Sequence, residues 1–479
     1  MGAAGVKKEE TMKTVTIPNN MRPWRCIVNG VKYEYPGGTV QTVPDEVAAL
    51  IAEWKRNQPP KRDPVREPVE KDYGSTEAFY IGADAQGVYR VNQAGEKKYM
   101  DENLPQVQTF ADLKRIIRAG YAKVYFSVGD QITTDYLAAD GKTYSAPWDV
   151  KHIDDTGVYF GMHYAIPEDM QFDAPEAIYY AETELAAGTY HISVGATFGD
   201  GWKAGQNIQF TLTQAVPAGG QVVIDFRTNN ANDPTAGRAV TTYATIGAAE
   251  AIESTTTSSG TDGTSLGTIG EGNTPQKTNG NLNAISRAIY GSGRYSESAI
   301  RQWLNSDAAA NAWWTPKNNW DRPPRAADLN RAGFLTRLPT DFVKILDYND
   351  IVVALNTVEG FSTDRETVRD RIFLPSIENM YVTPQQADAE TPAWDYYKAL
   401  AQEAGLPGKF QQWQTYPILR SYNLASAGGS LSPAYTWLRS ALRGSAYNAY
   451  LIVSVGTVSA DSAYSALRSC PACKIKTSE

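Results

Sequence analysis

Apolar and polar residues alternate along much of this chain, and in a few places the period lengthens to that of a helix. "KTVTIP" at 13–18 alternates, and "CIVNGVKYEYPGG" at 26–38 places Asn29 and Gly30 between two alternating runs. Both residues tolerate positive φ, so the spacing predicts a two-residue hairpin. Val47, Leu50, Ile51 and Trp54 recur at helical spacing and predict a helix over about 44–56. Pro44 suits its first position, Asp45 and Glu46 its positive end, Lys55 and Arg56 its negative end. Residues 1–12 are polar and read as a loose tail. Residues 57–71 (NQPPKRDPVREPVEK) carry four prolines among mixed charges and read as an extended linker. The segment before it is too short for a large core, which suits an attachment module better than an enzyme domain.

A second helix is predicted over about 110–119. Thr109 and Asp112 make a capping-box pattern, Phe110, Leu113, Ile116 and Ile117 share a face, and Gly120 ends it. "KVYFSVGDQI" at 123–132 reads as a strand followed by a Gly-Asp turn, and residues 176–227 as strands with Gly/Pro turns. Residues 254–282 are so rich in Ser, Thr and Gly that they read as a long exposed loop or linker. "SESAIRQWLNS" predicts a short helix capped by Ser296, with Ile300, Trp303 and Leu304 inward. "WWTPKNNWDRPP" reads as a loop, "RDRIFLPSIENMY" as a strand entering a turn, "YTWLRSAL" as a strand. Residues 448–475 alternate with a break at Gly456. The mixture is that of an α+β protein.

Composition narrows the chemistry. The 479 residues leave room for about two to four domains. With 42% hydrophobic and 20% charged residues the chain is a folding one. A net charge of −8 argues against a nucleic-acid binder, which needs a basic face to displace counterions. The first twenty residues lack the 7–15-residue apolar core of a secretory signal. No run of about 18 apolar residues predicts membrane insertion. His152, His163 and His191 are scattered, which does not suit a zinc site. Cys470-Pro471-Ala472-Cys473 is a C-x-x-C, but no helix is predicted after it and no second pair of ligands exists, so core or incidental cysteines are the better reading. Neither Gly-x-Ser-x-Gly nor a phosphate loop occurs, and Gly291-Ser292-Gly293 reads as a turn. No catalytic residue, metal or cofactor is therefore nominated. Trp303, Trp313, Trp314, Trp320, Trp394, Trp413 and Trp437 could form a glycan platform, though packing is the better reading of any single one.

One stretch is unusual. The 36 residues from Leu438 to Cys473 contain no Lys, Glu, Gln, Met or Trp. Every residue type present can be written by a codon ending in C with its first two bases free, the set produced when AAC codons are randomised at their adenines. A small-residue β segment would share some of this bias. The stretch is also rich in Ser and Tyr, residues common on adaptable binding surfaces.

"SVGDQI", "ESAIRQWLNS", "WTPKNNWDRPP", "DRIFLPSIENMY", "YTWLRSA" and "LRSCPACKI", in this order, resemble the C-terminal domains of retroelement-diversified phage variable proteins with a C-type-lectin-like fold, related to formylglycine-generating enzymes. The resemblance covers about 106–476, with an inserted β region at about 170–250. Residues 1–56 separately resemble the N-terminus of phage head-fibre proteins. The implied organisation is an attachment module at 1–56, a linker and connecting segment at 57–105, and a lectin-like ligand-binding domain at 106–476. In such proteins a fixed frame presents variable side chains near the C-terminus. Carried onto this chain, the frame positions are Trp437, Arg439, Gly456, Arg468, Pro471 and Ala472. The varied, ligand-binding positions are Leu442, Ser445, Tyr447, Asn448, Tyr450, Ile452, Val455, Thr457, Ser459, Asp461, Ser462, Tyr464, Ser465 and Leu467. The family tail usually reads Arg-Pro-Ala-Cys, and Cys470 stands here in place of the arginine. Glu-Pro-Asn, Gln-Pro-Asp and Trp-Asn-Asp are absent, so calcium-mediated sugar binding is not implied.

The resemblance implies a virion protein, made in the bacterial host cytoplasm. Its N-terminus would hold a capsid or other virion protein, and its C-terminal domain a host-surface protein or glycan, without turnover. A homo-oligomer is expected, a trimer by analogy with phage fibres. The rival readings are a capsid decoration protein that binds no ligand and, further off, a glycan-cleaving enzyme.

Overall fold

The structure is a computed structural model. It describes residues 12–16, 24–28, 31–35, 39–45, 47–49, 51, 80–84, 87–91, 97–99, 109–195, 197, 203–225, 239–248, 251–269, 281–355, 365–383 and 392–478. The chain is mixed α+β, mostly strands with few helices, and its sheets are open. It divides into two compact units. One comprises Met1–Ile132, Asp149–Tyr159 and Ile475–Glu479, the other Thr133–Trp148 and Phe160–Lys474.

In the first unit Met12–Thr16 pairs antiparallel with Val40–Pro44. Trp24–Val28 and Val31–Tyr35 form a hairpin with Val28 opposite Val31, which leaves the two residues predicted for its turn. Asp45, residues 47–49 and Ile51 are helical, but Pro44 ends the strand opposite Met12 instead of opening the helix. A ring without an N–H is tolerated at such a strand end. Val43, Val47, Ala48 and Ile51 bury one another, with Val15 and Tyr35 packed against them. Leu50, Trp54 and the linker at 57–71 lie outside the described residues.

The helix Phe110–Arg118 carries the predicted capping box. The Asp112 N–H donates to Thr109 Oγ1 (3.2 Å) and the Thr109 N–H to Asp112 Oδ2 (3.1 Å). Leu113, Ile116 and Ile117 are fully buried. The strand expected at 123–132 is corrected: Ala122–Tyr125 is a helical turn, Gly129 turns the chain at φ 93°, and the strand runs over Gln131–Leu137. One helical turn buries both Tyr125 and Phe126, whose adjacent side chains would point to opposite faces in a strand.

The second unit holds two larger sheets. The seven-stranded one runs in the spatial order Tyr179–Tyr180, Gln221–Asp225, Ala239–Tyr243, Glu253–Ser258, Asn207–Leu212, Gly188–Val194, Thr264–Ile269. Ile192, Ile208, Phe210, Val222 and Val240 line its core. The loop expected from 254 is thus corrected as far as Ile269. Thr255 pairs opposite Val240 and Thr257 opposite Phe210. β-Branched threonines suit a pleated surface, so a polar composition did not mean an unpaired segment.

The five-stranded sheet positions the site. Its order is Met170–Gln171, Ala466–Ser469, Thr436–Ala441, Asn448–Ile452, Val458–Ser462. Thr436–Ala441 is the predicted "YTWLRSAL" strand, and all six of its residues are buried. On one side Leu438, Tyr450, Ile452 and Val458 pack with Ile377, Met380, Val382, Phe410 and Leu419. Trp437 meets the Phe172 ring at 5.3 Å. The helix Ala299–Leu304 buries Ile300, Trp303 and Leu304 as predicted, but its cap is Ser298, not Ser296. Ser298 Oγ accepts from the Arg301 N–H (3.3 Å), while the Ser296 carbonyl accepts from Arg301 Nη1 (2.9 Å).

Candidate ligand-binding surface

The frame positions behave as one set. Trp437, Arg439, Gly456, Pro471 and Ala472 are buried and Arg468 is half-buried. Arg439 is 1% exposed, and its Nη1 donates to the Leu374 carbonyl (2.7 Å) and Asn379 Oδ1 (2.8 Å). Arg468 Nε donates to the Pro167 carbonyl (3.1 Å), and Trp437 Nε1 to the Met170 carbonyl (3.2 Å). Gly456 has φ 89°, and a Cβ there would stand 2.1 Å from the Tyr416 carbonyl oxygen. Only glycine meets both conditions.

The fourteen positions expected to vary divide. Val455, Asp461 and Tyr464 are exposed; Leu442, Tyr447, Asn448, Thr457, Ser459, Ser462, Ser465 and Leu467 are half-buried. Ser445, Tyr450 and Ile452 are buried, and their placement on an outer surface is corrected. Tyr450 and Ile452 point into the core beside Val458, and Tyr450 Oη donates to Gln412 Oε1 (3.3 Å). Their strand has a neighbour on each side and both faces covered, since Ala449 and Leu451 are buried too. Ser445 Oγ accepts from the Asn448 N–H (3.2 Å) and so closes the turn that begins the strand.

What remains outside comes from the edge strand and the turns. Ser459 and Asp461 alternate with Val458 and Ala460 on the edge strand. Thr457 Oγ1 bonds Thr415 Oγ1 (2.8 Å), and the Trp413 N–H donates to the Val458 carbonyl (3.1 Å). Trp413 is 48% exposed at φ 67°, a backbone region costly for a residue with a bulky side chain. Of the seven tryptophans it alone is exposed; Trp303, Trp313, Trp394 and Trp437 are buried, and Trp314 and Trp320 half-buried.

At another part of the domain three tyrosines meet. The Tyr290 ring stacks on Tyr447 (centroids 4.7 Å, 28°) and lies 5.7 Å from Tyr464. The Tyr464 N–H donates to the Tyr290 carbonyl (2.9 Å), and Gln171 Nε2 to the Tyr464 carbonyl (2.8 Å). Sequence reasoning missed Tyr290. Its signal is the Gly291 that follows, since the helix Ile285–Tyr290 ends there with its last side chain at a turn.

Charge anchors that helix. Arg287 makes a two-pronged pair with Glu176 (2.8 and 2.6 Å) and reaches Glu297 (2.7 Å). Arg294 bridges Glu297 (2.8 Å) and Glu366 (2.9 and 2.7 Å). Burial alone would lower the Arg287 pKa, but Glu176 and Glu297 outweigh it and hold the guanidinium charged. Asp173 accepts from the Ser292 and Ala299 N–H groups (3.2 and 3.3 Å). Burial, then Asp321 and Glu176, push its carboxyl well above the usual range. Asp321 is pushed up to about 7, by burial first and by Glu176 second.

Among the described residues no group of three His, Cys, Asp or Glu side chains is placed to hold a metal, and no helix is long and apolar enough to cross a membrane. Cys470 and Cys473 are not joined in a disulfide, and burial pushes the Cys473 thiol up, away from the thiolate that redox chemistry needs. No curated protein and no solved structure matches this chain. Residues 276–477, which carry both the tyrosine cluster and the edge strand, match a family described as a domain of unknown function, DUF6273.

Proposed function

We propose that this chain is a phage virion protein, a head fibre or similar appendage, whose C-terminal domain is C-type-lectin-like and binds a host-surface protein or glycan without turnover. The N-terminal module would hold it to the capsid, in an oligomer whose repeated sites add avidity. The observation that carries the reading is the division between frame and surface within one compositionally unusual stretch. Trp437, Arg439, Gly456 and Pro471 are buried, while eleven of fourteen candidate positions reach solvent, wholly or in part. Tyr447 and Tyr464 offer rigid amphipathic contact, and Ser459, Asp461 and Ser465 adaptable hydrogen bonds.

The test is sequencing of the gene across one phage population. Diversity should concentrate at the codons for Val455, Thr457, Ser459, Asp461 and Tyr464 and fall away at Trp437, Arg439 and Gly456. A gene uniform along its length would sink the reading and favour a decoration protein.

A further inference from the structure

Several arginines described in the second unit have a carboxylate partner. Arg287, Arg294, Arg301, Arg325, Arg331 and Arg337 each form an ion pair. Arg369 and Arg371 form none among the described residues, although the chain carries more acidic than basic groups. Both stand over one ring. The Arg371 guanidinium carbon is 4.5 Å from the Tyr348 centroid and that of Arg369 is 5.5 Å from it, so the two cations are separated by no more than the sum of those distances. Tyr348 is 44% exposed, and Arg371 Nε is buried without an acceptor.

The backbone beneath is held rigidly. Asn305 Oδ1 accepts from the N–H groups of Arg371 (2.8 Å) and Ile372 (3.1 Å), and Asn305 Nδ2 donates to the Ile372 carbonyl (2.8 Å). Asp370, between the two arginines, is 1% exposed and held by Arg301 through Nε and Nη2 (3.0 and 2.8 Å). Beside Tyr348, the buried Asn349 donates to the carbonyls of Asp347 (2.7 Å) and Lys474 (3.1 Å). Asp350 lies opposite Arg369 in the strand register yet makes no ion pair with it. Two guanidinium groups without an ion pair among the described residues thus stand over one ring on a fixed support, a preorganised arrangement of the kind that binding an anion requires.

We propose that Arg369, Arg371 and Tyr348 form an oxyanion site for a phosphate monoester. Two unpaired cations match a dianion, whereas a carboxylate would neutralise only one of them. Guanidinium forks suit phosphate oxygens in a two-pronged manner. The ring sets the spacing of the forks by holding both guanidinium groups. The net charge of −8 speaks against a long polyanion as the occupant and for a single phosphate group. The site shares no residue with the variable positions and does not depend on the reading of that surface.

The test is calorimetric titration of the full chain with inorganic phosphate at pH 7.5, at ionic strength held constant with sodium chloride. Saturable binding is expected, at least tenfold weaker in the double variant Arg369→Gln, Arg371→Gln. Tyr348→Phe should bind within twofold of the parent, and Tyr348→Ala several-fold more weakly. Arg369→Lys with Arg371→Lys keeps the charge and removes the forks, and should also weaken binding. Equal melting temperatures keep these comparisons meaningful, and the lysine pair supplies the comparison if the glutamine pair does not fold. Glucuronate should bind at least tenfold more weakly than phosphate. Absence of saturable phosphate binding, unchanged affinity in folded variants, or glucuronate binding as tight as phosphate would each overturn the proposal.

Discussion

The strands Asn448–Ile452 and Val458–Ser462 are neighbours in one sheet and come from the same unusual stretch. Their fates differ. The first is central and covered on both faces; the second is the edge, with Asp461 exposed and Ser459, Ala460 and Ser462 half-buried. Position in the sheet and residue type change together here, with Tyr450, Leu451 and Ile452 on the covered strand and Ser459, Asp461 and Ser462 on the edge, and both decide which side chains can be exchanged. A central strand loses packing with any change, whereas an edge strand and its turns answer mainly to solvent.

The largest expected effect lies on the central strand. Tyr450→Ala should cost about 3–5 kcal/mol, because it leaves a cavity among Leu438, Ile452 and Val458. Urea denaturation measures it. A cost below about 1 kcal/mol would place Tyr450 outside the core and erase the contrast between the strands. Gly456→Ala comes next, at about 2–4 kcal/mol, since it adds a strained φ to a close approach to the Tyr416 carbonyl. Loss at this hinge between the two strands would show that even the exposed turn rests on a fixed backbone.

Asp321 gives the comparison a pH dependence. Its carboxyl is raised to about 7 in the fold against an ordinary value of 3.8. The folded state therefore binds the proton more tightly than the unfolded chain. That contribution is fully present below about pH 4 and is lost as pH rises through about 7. Asp321→Asn removes the titration while keeping an oxygen for the Lys317 and Asn318 N–H groups. Relative to the parent, the variant should gain stability on the order of 2 kcal/mol between pH 5 and pH 8. Melting curves at the two pH values check this, and a difference independent of pH would show that Asp321 does not titrate in this window.

These effects also explain what the sequence could reveal. The capping box at Thr109 and Asp112, the Asn29-Gly30 hairpin spacing and the strand Thr436–Ala441 were legible because each depends on neighbours within a few residues. The cap at Ser298 was misplaced by two residues, since Ser296 and Ser298 satisfy the same local rule and only the chain path chooses between them. Alternation could not expose Tyr450 and Ile452 as core, because it reports which residues share a face and not whether that face is covered. The tyrosine cluster was half legible. Tyr447 and Tyr464 lie in the unusual stretch, but Tyr290 reaches them only through the tertiary fold.

That cluster lies between the two regimes. Tyr447 packs against the core beside the seven-stranded sheet and stacks on Tyr290, so Tyr447→Ala should cost about 1–2 kcal/mol, less than Tyr450→Ala.

The smallest effect on stability belongs to the side chains that the proposed function needs most. Val455, Ser459 and Asp461 reach solvent at the tip and along the edge strand, and among the contacts above none of them carries the frame. A triple substitution Val455→Ser, Ser459→Asn, Asp461→Ser should change stability by no more than about 0.5 kcal/mol per site, and the separate effects should add. Binding to intact host cells, measured with the purified chain, should fall at least tenfold. The two readouts discriminate between the rival accounts. Unchanged stability with lost binding is the signature of a replaceable surface on a fixed frame. Unchanged stability with unchanged binding would leave this edge as plain solvent-facing structure, and the comparison would then describe packing alone.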